Sequence, residues 1–403
     1  MRDIYLDNAA TTKLGGEVLS SMMPVLTDCY GNSSSVHAIG RRANKYLDES
    51  RDQIAKTLDV KPNEIYFTSG GTEANNWAIV GLAMANRNKG NHIITSKIEH
   101  HSILDSCEFL ENNGFRVTYL DVDRYGFINF ADLMGAICPD TILISIIAAN
   151  NEIGTIQNIK AIAQTAKERG IIFHTDAVQL YGHMNIDCKD IGIDALSISA
   201  HKIHGPKGVG ALYVSEDVNI DAYHMGGSQE RGRRGGTVNV AGVVGLAKAS
   251  EIAYRDLIVN NYKTKTLSEY FVDQLQKEVP DIVINGYPRQ KLNNIVSVSF
   301  AGIDASALLM MLDLKGVYAS TGSACMANAI ETSHVIQALG LDEDLAKGTM
   351  RFSFSKNNEP EEIDIAVAII KESVSKLRAY SPTYEAKQKT KGKRGRKKKN
   401  ELL

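Results

Sequence analysis

The sequence predicts an α/β protein with a large domain built on a mainly parallel, seven-stranded sheet, followed by a smaller α+β domain. Two observations predict this. Between residues 64 and 214, short apolar runs alternate with helical patterns, which is typical of a parallel sheet covered by helices. From about residue 281 the alternation ends and a second set of strands and helices follows. With 403 residues, 43% of them hydrophobic, the chain is long enough for both domains.

The predicted elements follow one another in a regular order. Two helical stretches, 15–29 and 38–58, precede the sheet. The seven strand candidates are 64–68, 92–96, 116–120, 141–147, 171–175, 194–199 and 208–214. Helical patterns lie between most of them and then continue, at 72–86, 101–112, 130–137, 159–169 and 240–278. The second domain has strand candidates 282–285, 293–300 and 350–355, and helix candidates 304–314, 331–339 and 359–378.

We expect three regions in the chain. The large domain spans 14–257, the small domain combines 1–13 with 258–380, and a basic tail covers 381–403. Within that tail, residues 387–403 hold nine Lys or Arg and one Glu, a formal charge of +8, which leaves −10 on the preceding residues. A charged run without apolar periodicity favours a solvated, disordered extension. An arm that contacts nucleic acid or an acidic partner is the alternative.

Cysteine usage and the chain start predict the cellular setting. The five cysteines are odd in number and form no C-x-x-C pair, so neither a disulfide framework nor a zinc ribbon is indicated. The polar, acidic start is unlike a signal peptide. The longest apolar run, about 142–149, is too short to cross a bilayer. We therefore expect a soluble, cytoplasmic protein.

The central candidate residue is Lys202, which follows strand candidate 194–199 in a turn rich in histidine and glycine. Burying an ammonium group is costly. A desolvated lysine, however, has a lowered pKa and can form a Schiff base. A surface lysine in a loop is the simpler interpretation of this residue alone, so the hypothesis depends on the residues that follow the other strands.

In an open parallel sheet, ligands bind at the carboxyl ends of the strands. Strand candidate 64–68 runs into Ser69-Gly-Gly-Thr72 and a helix, which suits a phosphate or a simple capped turn. The segment matches neither a dinucleotide fingerprint nor a Walker A motif. His100 follows strand candidate 92–96, where an imidazole could act as an acid or base, stack on a ring, or cap a helix.

Two further strand ends carry polar residues. Asn150 and Asn151 follow strand candidate 141–147 and could donate to a hydroxyl or carboxylate, or form a turn. Asp176 follows 171–175, where a charged carboxylate needs a cationic partner such as a protonated pyridine nitrogen, unless it caps a helix. Pyridoxal 5′-phosphate requires groups of these kinds together: a phosphate-binding turn, an aspartate, a histidine, amide donors and a lysine that can form a Schiff base.

Three features outside these strand ends add candidates. Cys325 lies in a run of small residues that argues against burial, although most free cysteines are buried and inert. Arg351 lies in an apolar strand pattern and could bind an α-carboxylate in a bidentate manner or form an internal salt bridge. The glycine- and arginine-rich stretch 226–237 could carry Thr237 to an anion or bind nucleic acid.

With these residues in place, the chain resembles cysteine desulfurases of the NifS/IscS type, in the aminotransferase class V branch of the fold type I pyridoxal-phosphate enzymes. The resemblance covers about residues 2–380. Its motifs are Tyr5-Leu-Asp-Asn-Ala-Ala-Thr-Thr12, Ser69-Gly-Gly-Thr-Glu-Ala-Asn-Asn76, Glu99-His100, Ala149-Asn-Asn-Glu-Ile-Gly154, His174-Thr-Asp-Ala-Val-Gln179, Ser199-Ala-His-Lys-Ile-His-Gly-Pro-Lys-Gly208, Arg231-Gly-Arg-Arg-Gly-Gly-Thr237 and Thr321-Gly-Ser-Ala-Cys325. The chain departs from the family pattern at Ser33, Val238 and Thr332, which affects loops rather than the candidate catalytic groups.

The resemblance implies a role for each candidate residue. Lys202 would hold the cofactor and move the substrate's Cα proton, Asp176 would pair with the pyridine nitrogen, and His100 would stack on the ring and shuttle protons. Gln179 and Asn151 would contact the ring hydroxyl side, with Asn151 also near the substrate. The resemblance assigns the phosphate to Thr72, Ser199, His201 and, from the second subunit of a homodimer, Thr237, and Gly71 is a further cofactor-binding candidate.

The resemblance also implies the reaction. Arg351 would hold the carboxylate of L-cysteine, and Cys325 would take its sulfur as a persulfide, releasing L-alanine. The sulfur would then pass to an acceptor protein such as an iron–sulfur scaffold, or serve tRNA thiolation. No resident metal site is expected, although Cys325 could ligate a cluster iron transiently. The alternatives are a selenocysteine lyase or another class V enzyme such as a transaminase, and a non-enzymatic binding scaffold.

Overall fold

The structure, a computed structural model, describes residues 3–322, 332–382 and 384–385. Cys325 therefore lies outside the described residues. The strands are β1 Ile4–Tyr5, β2 Ile65–Thr68, β3 His92–Ser96, β4 Arg116–Leu120, β5 Thr141–Ser145, β6 Ile172–Asp176, β7 Ala195–Ser199, β8 Gly210–Val214, β9 Ile282–Asn285, β10 Ile295–Phe300, β11 Val317–Tyr318, β12 Ser320–Thr321 and β13 Thr349–Ser353.

The helices surround these strands. They are α1 Gly16–Thr27, α2 Ala38–Leu58, α3 Gly71–Asn76, α4 Leu82–Ala85, α5 His101–Glu111, α6 Phe130–Ala136, α7 Ile159–Glu168, α8 Cys188–Ile191, α9 Val240–Arg255, α10 Leu257–Glu278, α11 Ala305–Asp313, α12 His334–Ala338, α13 Glu343–Lys347 and α14 Pro360–Ala379. A π-helical segment, Trp77–Gly81, joins α3 to α4, so the predicted helix at 72–86 changes its hydrogen-bonding pattern midway.

The seven-stranded sheet has the order β2-β8-β7-β6-β5-β3-β4. Only β8 runs against its neighbours β2 and β7, and the remaining pairs are parallel. Most of its strands are buried along their whole length, as expected for a sheet covered on both faces. The prediction of a mainly parallel, seven-stranded sheet in an α/β fold is confirmed.

A second sheet, ordered β12-β13-β10-β9, is antiparallel throughout. Its core includes Phe271 of α10 packed against Phe352 and Phe354, with ring centroids 4.9 and 5.4 Å apart. Ile4 and Leu6 at the start of the chain are also buried in this core. The two-residue pair β1–β11 fixes that start, with Ile4 opposite Val317.

The segment that follows β1 crosses from the second sheet to the first. Leu6 accepts a backbone hydrogen bond from Ser353 (2.7 Å), and the Thr12 N–H donates to the carbonyl of His201 (2.9 Å). The Thr12 hydroxyl donates to the same carbonyl at 2.9 Å. Residues 6–12 therefore lie between the two sheets, beside the turn that carries Lys202.

The first residues of the predicted tail contact other parts of the chain. The Tyr384 hydroxyl donates to Asp281 at 2.9 Å, and the Arg378 guanidinium lies 4.5 Å from the centre of the Tyr384 ring. Residues 386–403 lie outside the described ranges.

Among the described helices, none has the length and apolar character needed to cross a membrane.

Candidate active site

Lys202 ends a single 3-10 turn after β7, in the short connection to the antiparallel strand β8. Its Nζ donates to the carbonyl oxygens of Ala9 (2.6 Å) and Ala10 (2.8 Å). Gln179 Nε2 also donates to the carbonyl of Ala9, at 2.9 Å. The crossing segment thus brings the candidate lysine and the candidate glutamine to one backbone oxygen.

Asp176 is the last residue of β6 and is 4% exposed. The register of β6 and β7 places it opposite Ser197, on the strand that leads to Lys202. Its Oδ1 accepts from the Val178 N–H at 2.9 Å, and its Oδ2 accepts from Asn75 Nδ2 at 2.7 Å. Both donors orient the carboxyl group of Asp176 at the strand end, where it can pair with a cation brought by a ligand.

His100 caps the N-terminus of α5 through Nδ1, which accepts from the Ser102 N–H at 3.1 Å and lies 2.8 Å from the Ser102 hydroxyl. Burial lowers the pKa of His100, with the neighbouring Lys202 acting in the same direction and Asp176 opposing it. The imidazole is therefore neutral at pH 7. Because Nδ1 accepts, the ring proton lies on Nε2.

Asn75 and Ser102 join the aspartate to the histidine. Asn75 Nδ2 donates to Asp176 at 2.7 Å and to the Ser102 hydroxyl at 2.9 Å, and that hydroxyl contacts His100. Asn75 is 1% exposed and projects from α3. Neither Asn75 nor Ser102 was among the candidates predicted from the sequence. One feature of the sequence could have indicated a role for Asn75. It belongs to the motif Ser69–Asn76 after β2, and the helix formed by that motif begins at the strand ends that carry the other candidates.

The segment after β2 forms a recess beside Ser199. Gly70 has φ +155°, a conformation available to glycine, and Gly71 packs so closely that a β-carbon there would lie 2.7 Å from Val178. The Ser199 side chain is beside both glycines, and its Oγ is buried without a hydrogen-bond partner among the described residues. A buried hydroxyl without a partner, next to a helix start, fits a phosphate that would supply the missing acceptor. Thr72 follows Gly71 in the first turn of that helix.

His201, the neighbour of Lys202, faces the crossing segment. Its Nδ1 lies 3.2 Å from the Thr11 hydroxyl. Burial, together with the positive charges of Lys202 and Lys207, lowers the pKa of His201 to about 4. A neutral ring here leaves one nitrogen able to donate a hydrogen bond to an anion.

Arg351 lies on β13 and is 5% exposed. Its Nη2 donates to Asp7 Oδ1 at 2.8 Å and its Nη1 to the Asn151 carbonyl at 3.0 Å. The internal salt bridge that the sequence left open as an alternative is therefore present. Arg351 Nε is buried without a partner among the described residues, so the guanidinium retains a donor for a further acceptor. Asp7 is a contact that sequence reasoning missed, because it lies 344 residues away in the chain.

Two buried carboxyl groups flank this cluster. Burial raises the pKa of Glu99 to about 8, although hydrogen bonds from Ser96 and from the Ile147 N–H act to lower it. Burial likewise raises the pKa of Glu152 to about 7, opposed by a hydrogen bond from Ser333 and by the charge of Arg351. Near neutral pH both groups are partly or mainly protonated.

Thr237 is not joined to the Lys202 cluster by any contact among the described residues, and it is exposed. The arginines of its loop bind within the chain. Arg234 forms a bidentate pair with Glu73 (2.8 and 3.1 Å), Arg233 donates to the Tyr66 hydroxyl (2.7 Å), and Arg231 lies 3.9 Å from the centre of the Tyr66 ring. These contacts favour a structured loop over one that binds nucleic acid.

Comparison with known proteins agrees with this fold. The chain belongs to the aminotransferase class-V family, whose model matches residues 4–365. It is 49% identical over 379 residues to the cysteine desulfurase IscS of Methanosarcina thermophila, covering 94% of each chain. Among solved structures, it is similar to a NifS-like protein with a TM-score of 0.88 and 38% identity, covering 93% of this chain and 100% of the other.

A further solved structure, titled SspA in complex with cysteine, is similar with a TM-score of 0.79 and 38% identity, covering 87% of this chain and 98% of the other. The rat protein named cysteine desulfurase is 42% identical, covering 96% of this chain and 86% of its own length. The prediction of a pyridoxal-phosphate-dependent cysteine desulfurase is confirmed by these likenesses over nearly the full chain.

Proposed function

We propose that this enzyme transfers the sulfur of L-cysteine to Cys325 as a persulfide and releases L-alanine, using the cluster around Lys202. The observation that carries the proposal is the convergence of Lys202, Asp176 and His100 at the carboxyl ends of β7, β6 and β3. Asn75 and Ser102 connect Asp176 to His100 by hydrogen bonds of 2.7 to 2.9 Å. Such convergence at strand ends is the usual place for a ligand in this type of sheet.

The residues present fit pyridoxal 5′-phosphate. When bound, this cofactor supplies a conjugated, protonated ring that withdraws electrons from the substrate's Cα. Asp176 would hold the proton of the ring nitrogen, and Lys202 would anchor the cofactor through Nζ and move the Cα proton. The residues proposed to bind the phosphate are Gly71, Thr72, Ser199 and His201, with Gln179 beside the ring.

His100 and Arg351 serve the substrate in this proposal. His100 is neutral, so it would first accept a proton as a base and then, as the imidazolium, return that proton near neutral pH. Arg351 would bind the substrate's carboxylate, since its Nε is a buried donor that lacks an acceptor among the described residues. Asn151, whose carbonyl already orients Arg351, would contribute on the same side.

The sulfur transfer balances without a further reactant. The substrate's Cβ–S bond breaks, its electron pair stays with carbon, and Cβ gains a proton to become the methyl group of alanine. A new S–S bond forms between the released sulfur and Cys325. The sulfur is thereby oxidised while the carbon is reduced, and one thiol plus one cysteine gives one persulfide plus one alanine. Nucleophilic attack requires the Cys325 thiolate.

Several further assignments belong to the proposal. An acceptor protein, such as an iron–sulfur scaffold, takes the sulfur from Cys325. Thr237 is exposed and apart from the Lys202 cluster, which supports its action in the second subunit of a homodimer. We place the enzyme in the cytoplasm. The domain division at 14–257, with 1–13 and 258–380 forming the smaller domain, is supported by the burial of Ile4 and Leu6 in the core of the second sheet.

The test is Cys325→Ala in the loaded enzyme. Sulfur release from L-cysteine should fall at least about 100-fold, because the attacking group is absent, while the visible absorbance of the cofactor remains. Cys138→Ala is the matched control, since Cys138 is partly exposed near the opposite ends of the strands and should retain activity. Full sulfur turnover in Cys325→Ala would contradict the proposal. Selenocysteine as a competing substrate separates a lyase from a desulfurase.

A further inference from the structure

Glu152, a residue to which the proposed reaction gives no role, has a fixed position next to the site. It follows Asn151 in the turn after β5 and is 4% exposed. The Asn150 side chain fixes this turn, because its Oδ1 accepts from the N–H groups of Glu152 (2.9 Å) and Ile153 (3.1 Å). The carboxyl group of Glu152 therefore projects from a rigid base.

Two distant segments of the chain meet at one oxygen of that carboxyl group. The Ser333 hydroxyl donates to Glu152 Oε2 at 2.7 Å. Gly322 packs against the same oxygen, since a β-carbon at Gly322 would lie 2.1 Å from Oε2 and 3.0 Å from the Ser333 β-carbon. A β-carbon at 322 would therefore displace the Glu152 carboxyl group or the Ser333 side chain. In the sequence, Cys325 lies between these two contacts.

Both segments are held by other contacts as well. Ser320 and Thr321 of β12 pair with Arg351 and Met350 of β13. On the other side, the Ser333 hydroxyl also accepts from the Val335 N–H at 3.1 Å, which opens α12. The contact at Glu152 therefore joins two ordered pieces of structure.

The same carboxyl group lies close to the candidate substrate arginine. Arg351 Nη1 donates to the carbonyl of Asn151, the residue before Glu152, at 3.0 Å, and Arg351 pairs with Ser320 across the strands. One turn thus contacts Arg351 through its backbone and the two segments flanking Cys325 through its side chain.

We propose that Glu152 is a positioning residue, which fixes both ends of the segment containing Cys325 relative to Arg351 and so sets the approach of the Cys325 thiol to the substrate's sulfur. This inference rests on the proposed role of Cys325. Loss of the carboxyl group would leave the Ser333 hydroxyl without its acceptor and open a gap beside Gly322. A displacement of about 1 Å in a reacting group can cost about 100-fold in rate.

The experiment compares Glu152→Ala with Glu152→Gln in the loaded enzyme. Two steps are measured in a single turnover: the change in cofactor absorbance when L-cysteine binds, and persulfide formation on Cys325 by mass spectrometry. In Glu152→Ala, persulfide formation should slow about 10- to 100-fold, while the absorbance change keeps its dependence on cysteine concentration. Glu152→Gln should stay within about 3-fold of the wild type, because its amide oxygen can still accept from Ser333.

Two further variants make the result decisive. Ser333→Ala removes the donor to Glu152 together with the acceptor for the Val335 N–H, keeps the Glu152 carboxyl group, and should slow the same step by a smaller factor. Glu64→Ala is the matched control, because Glu64 is also a buried glutamate with backbone partners, at the start of β2 and away from the strand ends that carry Lys202. It should leave both steps unchanged.

The inference fails if Glu152→Ala forms the persulfide at the wild-type rate, if both steps slow equally, or if Glu152→Gln is as slow as Glu152→Ala. Failure of the proposed function is a different result, in which Cys325→Ala retains full sulfur turnover.

Discussion

His174 should make the stability of this protein sensitive to acid. It lies on β6, two residues before Asp176, and both ring nitrogens contact serine hydroxyls, Ser145 at 2.9 Å and Ser197 at 3.1 Å. Burial lowers the pKa of His174 from 6.5 to about 3. The folded protein therefore binds fewer protons here than the unfolded chain, so this stability is present above pH 6.5 and is lost as the pH falls from 6.5 toward 3. At pH 5 the loss is about 2 kcal/mol.

The variant His174→Asn tests this value. Its lost packing weakens the fold equally at pH 7 and pH 5, so the change between the two conditions isolates the proton. Chemical denaturation should show the wild type losing about 2 kcal/mol more than the variant between pH 7 and pH 5. His183 and His201, whose pKa values are lowered by burial to about 4, keep part of the acid sensitivity in both proteins. An equal loss in the two proteins would refute the reasoning.

Two further substitutions test the site and its support. Arg351→Lys should raise KM for L-cysteine about 10-fold or more and leave the cofactor absorbance unchanged. The reason is that one ammonium group cannot bind Asp7, the Asn151 carbonyl and a substrate carboxylate together. Steady-state kinetics measure this KM, and an unchanged value would contradict the prediction. Glu230→Ala should destabilise the fold by about 3–5 kcal/mol, because it leaves the Arg51 guanidinium, 10% exposed, without the carboxylate that binds it at 2.7 and 2.9 Å. An unchanged melting temperature in Glu230→Ala would argue against that reasoning.

Much of the fold follows from local patterns in the sequence. Strands β3 and β4 begin and end at the predicted residues, because each contains β-branched residues in a short run bounded by turn residues, fully buried in β3 and partly buried in β4. The pairs β1–β11 and β12–β13 could not be predicted in this way. β1, β11 and β12 have two residues each, too short for any periodic signal, and β1 pairs with a segment more than 300 positions away. Such contacts arise from packing of the whole chain.

The candidate site divides along the same line. Lys202, Asp176 and His100 could be predicted as candidates because each lies at or a few residues after the end of a strand, and strand ends of a parallel sheet meet at one edge. Asn75 and Ser102 project from helices, where no comparable rule says which face meets the site. Asp7 was missed because its partner Arg351 lies 344 positions away in the chain. The role assigned to Cys325 depends on the sequence alone, because this residue lies outside the described residues.

The crossing segment, residues 6–12, explains why two distant parts of the chain can act together. Its Ala9 carbonyl accepts from Lys202 (2.6 Å) and Gln179 (2.9 Å), while Asp7 binds Arg351 (2.8 Å). The candidate cofactor lysine and the candidate substrate arginine are therefore held by residues only two positions apart in the chain. Because consecutive Cα atoms are about 3.8 Å apart, this spacing limits how far the two groups can separate unless one of these contacts breaks. The N-terminal segment thus links the candidate cofactor lysine on one sheet to the candidate substrate arginine on the other.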